Sequence, residues 1–411
     1  MRKKFPFHPT VFIVAMVLPA MASAASAPKA GSKAGSKAVP IVEQTDITWS
    51  AATGLGYDSN AYQAPRAPYV DQALATPALV TPQEKSGFFV PYEMKVDAAK
   101  SRSQNNRLLG SAKADGSFYI GGGLSNANEY NVRLNGGYEH ILGRKEKSEN
   151  TLYAGALLGK HKQVYVDHDS GLGKTTTVSG RDISDLYSYT SIGAEAEYKH
   201  RTGKIDYGFG GKYISYDYET VTGSPQQDHT YYKLGADASF AVAAQTRLSV
   251  SFDHSVRDYS YRHARDLQAA FTNTLLVYSY DALGVSLRNR ISDEWLLYLD
   301  LDNTQRADNN AGYGDYSENR YGARVIYEKD RLKTRLSLHH WGRDYPKAFA
   351  FDTPGQAAKT YSGNDLRFKA ELEQARNTAL WAELVYLSQK TTDLRYDYVR
   401  TQAMAGMSWA Y

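Results

Sequence analysis

Charged side chains recur at alternate positions through the second half of this chain, opposite apolar ones, and that spacing limits the chemistry open to them. Arg247, Arg257, Arg288, Asp300, Asp302, Arg320, Arg324, Arg335, Arg367, Glu371 and Arg400 are the candidates. Arginine keeps its charge at any ordinary pH and offers a planar fork of donors. Carboxylates facing such forks across a water-filled gap set up a transverse field. That field orients water and polar solutes; it does not make or break bonds. As a set these residues are candidates for lining an aqueous pore. Any single one can equally pair with a neighbouring strand and hydrate a wall. Tyr153, Tyr216, Tyr231, Tyr298, Trp341 and Tyr398 share their face. Aromatic faces beside charged donors can hold sugar rings, and they can also pack loops that fold inward.

Residues suited to covalent or metal chemistry are sparse. There is no Cys, which excludes disulfides, thiolate metal sites and Cys nucleophiles. Neither Gly-x-Ser-x-Gly nor His-Glu-x-x-His occurs. Gly171-Leu172-Gly173-Lys174-Thr175 looks like the end of a phosphate-binding loop, but His168 stands where the first Gly is required, so the stretch reads as an outside turn. His339 and His340 are adjacent, and in a strand they point to opposite faces, so they cannot ligate one metal together. Asp308, Asn309, Asn310 and Asp315 lack the spacing of a helix-loop-helix calcium site. Ser255 follows His254, and Ser337 shares a face with His339, but no third group completes either set. No catalytic role, metal or cofactor is expected, and a hydrolase stays a minor alternative.

The elements that must position the charges are strands. Tyr232, Leu234, Ala236, Ala238 and Phe240 oppose Lys233, Gly235, Asp237 and Ser239. Leu248, Val250 and Phe252 oppose Arg247, Ser249, Ser251 and Asp253. Leu366, Phe368, Ala370 and Leu372 oppose Asp365, Arg367, Lys369 and Glu371. Such a period of two puts one greasy face opposite one wet face. A soluble sandwich alternates too, but its strands are nearer 5–6 residues. Here they reach the roughly ten residues of a tilted transmembrane strand. Connections alternate short and long, as in barrels with short periplasmic turns and long outer loops. Asp58–Ser86 and Asp344–Gly363 are long enough to fold inward and constrict a pore. The pattern predicts strands near 46–57, 87–98, 106–119, 128–142, 150–163, 184–200, 205–219, 229–242, 247–259, 272–291, 295–307, 316–328, 332–343, 364–374, 379–389 and 396–411. The fold class is therefore all-β: a transmembrane antiparallel up-and-down β-barrel of about 16 strands.

Composition agrees. Tyr occurs 33 times in 411 residues, and mean hydropathy is negative. No run outside the N-terminus approaches the roughly 18 apolar residues of a spanning helix. Arg2, Lys3 and Lys4, the apolar Val11–Leu18 and the small Ala22-Ser23-Ala24 form an export signal. The chain divides into a signal peptide at 1–24, a flexible periplasmic linker at 25–45, rich in Lys, Gly and Ser, and a barrel at 46–411. Formal net charge is +4, and losing the leader brings it near neutrality, which argues against nucleic acid as a partner. Trp49, Tyr138, Tyr198, Tyr207, Trp295, Tyr327, Trp381, Trp409 and Tyr411 fall near periplasmic strand ends, where an interfacial girdle belongs.

Two segments carry resemblances. Ser408-Trp409-Ala410-Tyr411 resembles the C-terminal signal that outer-membrane barrels present to the barrel assembly machinery, with Tyr where Phe is commoner. Gly54-Leu55-Gly56-Tyr57-Asp58-Ser59-Asn60, followed by Tyr62 and Pro65, resembles the opening strand of barrels associated with exopolysaccharide systems and of surface-lipoprotein assembly modifiers. Read from the residues alone, Asp58-Ser59-Asn60 is an Asx-type turn ending the strand. The resemblance implies a Gram-negative outer-membrane barrel in contact with lipid and lipopolysaccharide. Its implied role is a channel, porin-like or linked to polysaccharide export, with a polar small molecule or saccharide as solute. A non-conducting, surface-binding barrel is the alternative.

Overall fold

Strands with one face for hydrocarbon and one for water cannot end in an open edge inside a bilayer, because unpaired backbone groups have no partner there. Closure into a barrel is the solution this chain adopts. The computed structural model describes residues 45–411 apart from 122, 146–147, 165, 168–169, 171, 174–182, 184 and 221–226. The proposed signal peptide and nearly all of the linker lie outside the described residues.

Sixteen antiparallel strands form one closed barrel in sequential order. They are β1 (Thr45–Asp58), β2 (Gly87–Ser103), β3 (Asn106–Ile120), β4 (Glu129–Lys145), β5 (Ser148–Lys162), β6 (Tyr189–Arg201), β7 (Ile205–Tyr218) and β8 (His229–Ala243) in the first half. The second half holds β9 (Thr246–Arg265), β10 (Phe271–Arg290), β11 (Trp295–Asp308), β12 (Tyr316–Lys329), β13 (Leu332–Phe349), β14 (Ala358–Ala375), β15 (Thr378–Thr391) and β16 (Tyr398–Ala410). The last strand pairs with the first from Ser50↔Ala410 to Asp58↔Gln402. At one end of the barrel, β2–β3, β8–β9, β12–β13 and β14–β15 turn in two residues each.

All sixteen expected strands are present, but several run further at the other end than alternation indicates. Strand β9 continues to Arg265, β13 to Phe349, and β14 begins at Ala358. The loops expected at Ser260–Phe271 and Asp344–Gly363 are correspondingly shorter. Beyond the membrane both faces of a hairpin are wet, so pairing persists without a period of two. Bulges mark the change, with register shifts between Asp258 and His263 and between Asp344 and Phe349.

Apolar side chains point outward rather than into a core. Leu234 is 67% exposed and Ile192 62% in the isolated chain, values that suit residues solvated by lipid. Toward the loop end this band gives way to outward amides: Asn303 donates to Asn319 at 2.8 Å and Gln305 to Ser317 at 2.9 Å. At the turn end, Trp49 stacks on Tyr411, Trp295 lies 4.7 Å from Tyr327, and Tyr198 lies 6.4 Å from Tyr207. Trp381 is the exception to the expected girdle. It lies opposite Gly406, on the inner parity of β15, and is only 7% exposed. A Cβ at Gly54 would lie 2.9 Å from its ring, and a Cβ at Gly406 would strike the β1 backbone, so the pair of glycines makes room for the seam.

The seam is also clasped from inside. Asp58 of β1 is fully buried. It accepts hydrogen bonds from Arg400 Nη2 at 2.6 Å, Tyr119 Oη at 2.6 Å and Gln402 Nε2 at 2.9 Å. Asn60 N donates to Asp58 Oδ1 at 3.0 Å, the expected Asx turn. The Asn60 side chain donates to Ala64 O and Val399 O and accepts from Ala64 N. Removing one member of such a buried pair leaves an uncompensated charge and costs about 3–5 kcal/mol. Asp58→Ala is expected to lower the unfolding free energy of the refolded barrel by that amount, read from the urea dependence of its heat-modifiable gel mobility. Asp58→Ala with Arg400→Met is expected to recover most of the loss, because no buried charge then remains.

Candidate functional site

Strand parity and register decide which side chains share the interior. From Arg247↔Arg288 and Arg288↔Tyr298 the inner face runs through Tyr298↔Arg324, Arg324↔Ser337 and Ser337↔Arg367. On that face, a cavity of about 360 Å³ is lined by Glu195, Lys212, Lys233, Asp237 and Asp253. A second of about 470 Å³, sharing Asp237 and Ser251 with the first, is lined by Asp300, Asp302, Arg320, Arg324 and His339. The two form one polar groove along β6–β13.

All eleven sequence candidates lie on this inner face, but their charges are not equally available. Arg400 is consumed in the clasp with Asp58. Arg247 is paired with Asp206 and donates to Ser239. Arg367 chelates Asp365 at 3.0 Å, and Glu371 pairs with Lys369 at 2.7 Å. Arg257, Arg288, Arg320, Arg324 and Arg335 have no ion pair among the described residues. Arg324 lies 4.6 Å and Arg288 5.9 Å from the centre of the Tyr298 ring, so one tyrosine steadies both. Asp302 stands opposite Arg320 in register.

The wall formed by β2–β4 is different. There Lys113 meets Glu93 at 2.7 Å, Arg133 meets Asp115 at 3.1 Å, Lys95 meets Asp97 at 2.7 Å and Arg107 meets Glu139 at 3.1 Å. One side of the barrel thus carries four close ion pairs, while the other keeps Arg288, Arg320, Arg324 and Arg335, and with them Asp237, Asp300 and Asp302, outside any ion pair among the described residues. His339 was set aside as a ligand in the sequence, yet its Nδ1 is buried in the spare-charge region without a hydrogen-bond partner. Its ring lies over Gly322, where a Cβ would come within 2.9 Å of it. Ser337 and His339 do share the inner face, whereas Ser255 faces inward and His254 outward, 2.8 Å from Asp281.

Over the loop end, 59–86 folds onto the inner wall. Tyr62 packs against Phe89, Tyr119 and Leu124. Arg66 meets Asp397 at 2.6 Å, and Tyr69 packs on Phe351 and Ala350. Sequence alone missed what holds these loops: Asp352, Lys359, Asp393 and Arg395. Asp393 is fully buried, with Arg395 Nη2 at 2.8 Å and Lys359 Nζ at 3.6 Å. Asp352 meets Lys359 at 2.8 Å. Phe351 and Asp352 both adopt the left-handed conformation, a local cost of roughly 1–2 kcal/mol each that the latch must hold.

A closed barrel, greasy outside and charged inside, with an aromatic girdle, defines the class of transmembrane β-barrels that span bacterial outer membranes. No protein-family model matches the chain. No curated protein matches it. Among solved structures, the outer membrane channel DcaP of Acinetobacter baumannii is 12% identical, with a TM-score of 0.48 over 89% of this chain and 97% of that one. OmpF of Salmonella typhi, solved with daunomycin, is 11% identical, with a TM-score of 0.47 over 90% of this chain and 98% of that one. An anion-selective porin from Comamonas acidovorans is 12% identical, with a TM-score of 0.44 over 90% of this chain and 100% of that one. The fold of this chain rests on its own strand register.

The loop latch makes an acid prediction. Burial alone would raise the Asp352 carboxyl, but Lys359, Arg265 and Arg395 outweigh it and hold its pKa below the ordinary value. A depressed carboxylate stabilises the fold above its unfolded pKa of about 3.9, and that stability is lost as pH falls through the lower, folded value. Hydrogen exchange over 350–357, corrected for the intrinsic rate, is expected to show protection at pH 7 that fades below about pH 4. Asp352→Asn is expected to loosen the same segment at pH 7.

Proposed function

We propose that this protein is a passive outer-membrane channel for polar solutes that favours anions, with saccharides among the solutes it admits. The observation that carries the reading is the unbalanced interior. Arg288, Arg320, Arg324 and Arg335 stand without ion partners among the described residues, opposite a wall whose carboxylates are already paired. Guanidinium groups facing a groove lower the energy of a passing anion and raise that of a cation. The inner aromatics, Tyr298 and Trp341 among them, supply flat surfaces for sugar rings. Arg247, Asp300, Asp302, Arg367 and Glu371 line the same passage, where the paired ones serve to shape and hydrate it; Arg257 lies above it at the loop end. Export-linked transport of a polysaccharide is the narrower form of this reading, supported by the opening motif. Lipid, lipopolysaccharide and the barrel assembly machinery are the partners that a barrel of this kind requires.

A second reading has one observation in its favour. Loop 59–86 lies against the inner wall, so the lumen of a non-conducting, surface-binding barrel would look the same on that side. Planar-bilayer recording of the refolded protein separates the two. The expected result is a stable conductance with a reversal potential on the anion side in a potassium chloride gradient. Changing Arg288, Arg320, Arg324 and Arg335 together to Gln is expected to move that potential toward zero or to the cation side. A barrel that stays silent after residues 66–84 are replaced by a short Gly-Ser link would overturn the channel reading.

A further inference from the structure

The loop end of the barrel holds a second concentration of arginine, separate from the groove below. A cavity of about 330 Å³ there, within the size range of small-ligand sites, is lined by Arg257, Arg262, Arg265 and Arg306. None of these guanidiniums has an ion pair among the described residues. The acids of the cavity are already committed. Asp308 accepts from the backbone N–H groups of Asn310, Gly312 and Gly314, and Asp352 pairs with Lys359. Four arginines and Lys359 against Asp308 and Asp352 leave the cavity lining with an excess of positive charge.

Aromatic rings hold these arginines in place. Arg306 lies 4.1 Å from the centre of Tyr278 and 4.3 Å from that of Tyr316, and it donates to Gly314 O. Arg265 lies 4.4 Å from the centre of Phe271 and donates to Ala269 O. Arg262 lies 5.3 Å from the centre of Tyr259. The Arg257 Nε is buried with no hydrogen-bond partner. Stacking fixes the plane of a guanidinium and leaves its edge to bind, so less freedom is lost when a ligand arrives. Tyr189, Tyr216, His229, Tyr259 and Tyr278 pack one on another with ring centres 4.6–6.1 Å apart, the last three buried, so this stack braces the arginines from behind.

The geometry points to a binding site for a carboxylated saccharide, captured at the loop end of the barrel. Guanidinium edges match a carboxylate in two-point geometry. The half-buried Tyr345 and Tyr361 of the cavity lining offer ring surface and hydroxyls that suit the apolar faces and hydroxyls of a sugar ring. Binding here does not depend on whether the barrel conducts, because the site lies above the groove that the channel reading uses.

The test is isothermal titration of the detergent-folded full-length barrel with trigalacturonate, against maltotriose and inorganic phosphate. Trigalacturonate is expected to bind, with the two controls at least about tenfold weaker, since truncated charged hydrogen bonds cost that much. Arg257→Gln with Arg306→Gln is expected to weaken trigalacturonate at least about tenfold. Arg306→Lys, which keeps the charge and loses the fork, should weaken it by less; heat-modifiable gel mobility checks that each variant is folded. Lys329→Gln, at the turn end and outside both arginine sets, is expected to leave binding unchanged; conductance recorded on the same variants separates failure of this site, with conductance kept, from failure of the channel reading, with binding kept. Absence of trigalacturonate binding, equal binding of maltotriose or phosphate, or indifference to the Arg257 and Arg306 changes would each overturn the proposal.

Discussion

The structure depends on the pairing of its first and last strands. In hydrocarbon an open sheet edge leaves a row of backbone groups with nothing to bond, so sixteen strands are stable only when β1 meets β16. That seam is reinforced more heavily than backbone pairing requires. The Asp58 carboxylate, buried on the inner wall, draws Arg400 from β16 and Tyr119 from β3 onto one point. Gly54 and Gly406 let the two strands approach beneath Trp381. The side chain of Asn60 then ties the start of the first loop to the last strand. One short motif thus closes the barrel and starts the loop that folds inside it.

Once closure is assured, function depends on which interior charges remain unspent. Arg400 and Arg320 are the same residue type on the same face, yet Arg400 is a structural bolt while Arg320 has no ion partner among the described residues. The same division separates Arg367, chelated by its own strand neighbour, from Arg324, stacked on a tyrosine. A pore's electrostatics are the residue left after pairing, not the sum of its charges. Here four ion pairs tie up the charges of β2–β4, while on β10–β13 Arg288, Arg320, Arg324 and Arg335 stand outside any ion pair among the described residues.

The loop end obeys a different rule from the membrane band. Within the bilayer, lipid enforces strict alternation. Above it, hairpins continue with bulges and the side chains answer to each other. Two carboxylates, a lysine and an arginine latch the loops together, while stacked tyrosines and arginines build the cavity beside them.

Sequence by itself determined the fold class, the sixteen strands and the parity of every inner candidate, because a bilayer outside and water inside write a period of two that needs no long-range information. Its errors follow the same logic. The loop ends of β9, β13 and β14 were placed short because alternation lapses there, β6 and β16 begin later than expected, and Trp381 was assigned to the girdle by residue type, though its parity with Gly406 turns it inward. Only the tertiary structure decided which charges are spent. Asp58 and Arg400 lie 342 residues apart, and their pairing exists only because the last strand returns to the first. At the loop end, Arg257, Arg262 and Arg265 of β9 share their cavity with Arg306 of β11 only because the hairpins stand side by side there. Parity is local and legible; partnership is created by closure.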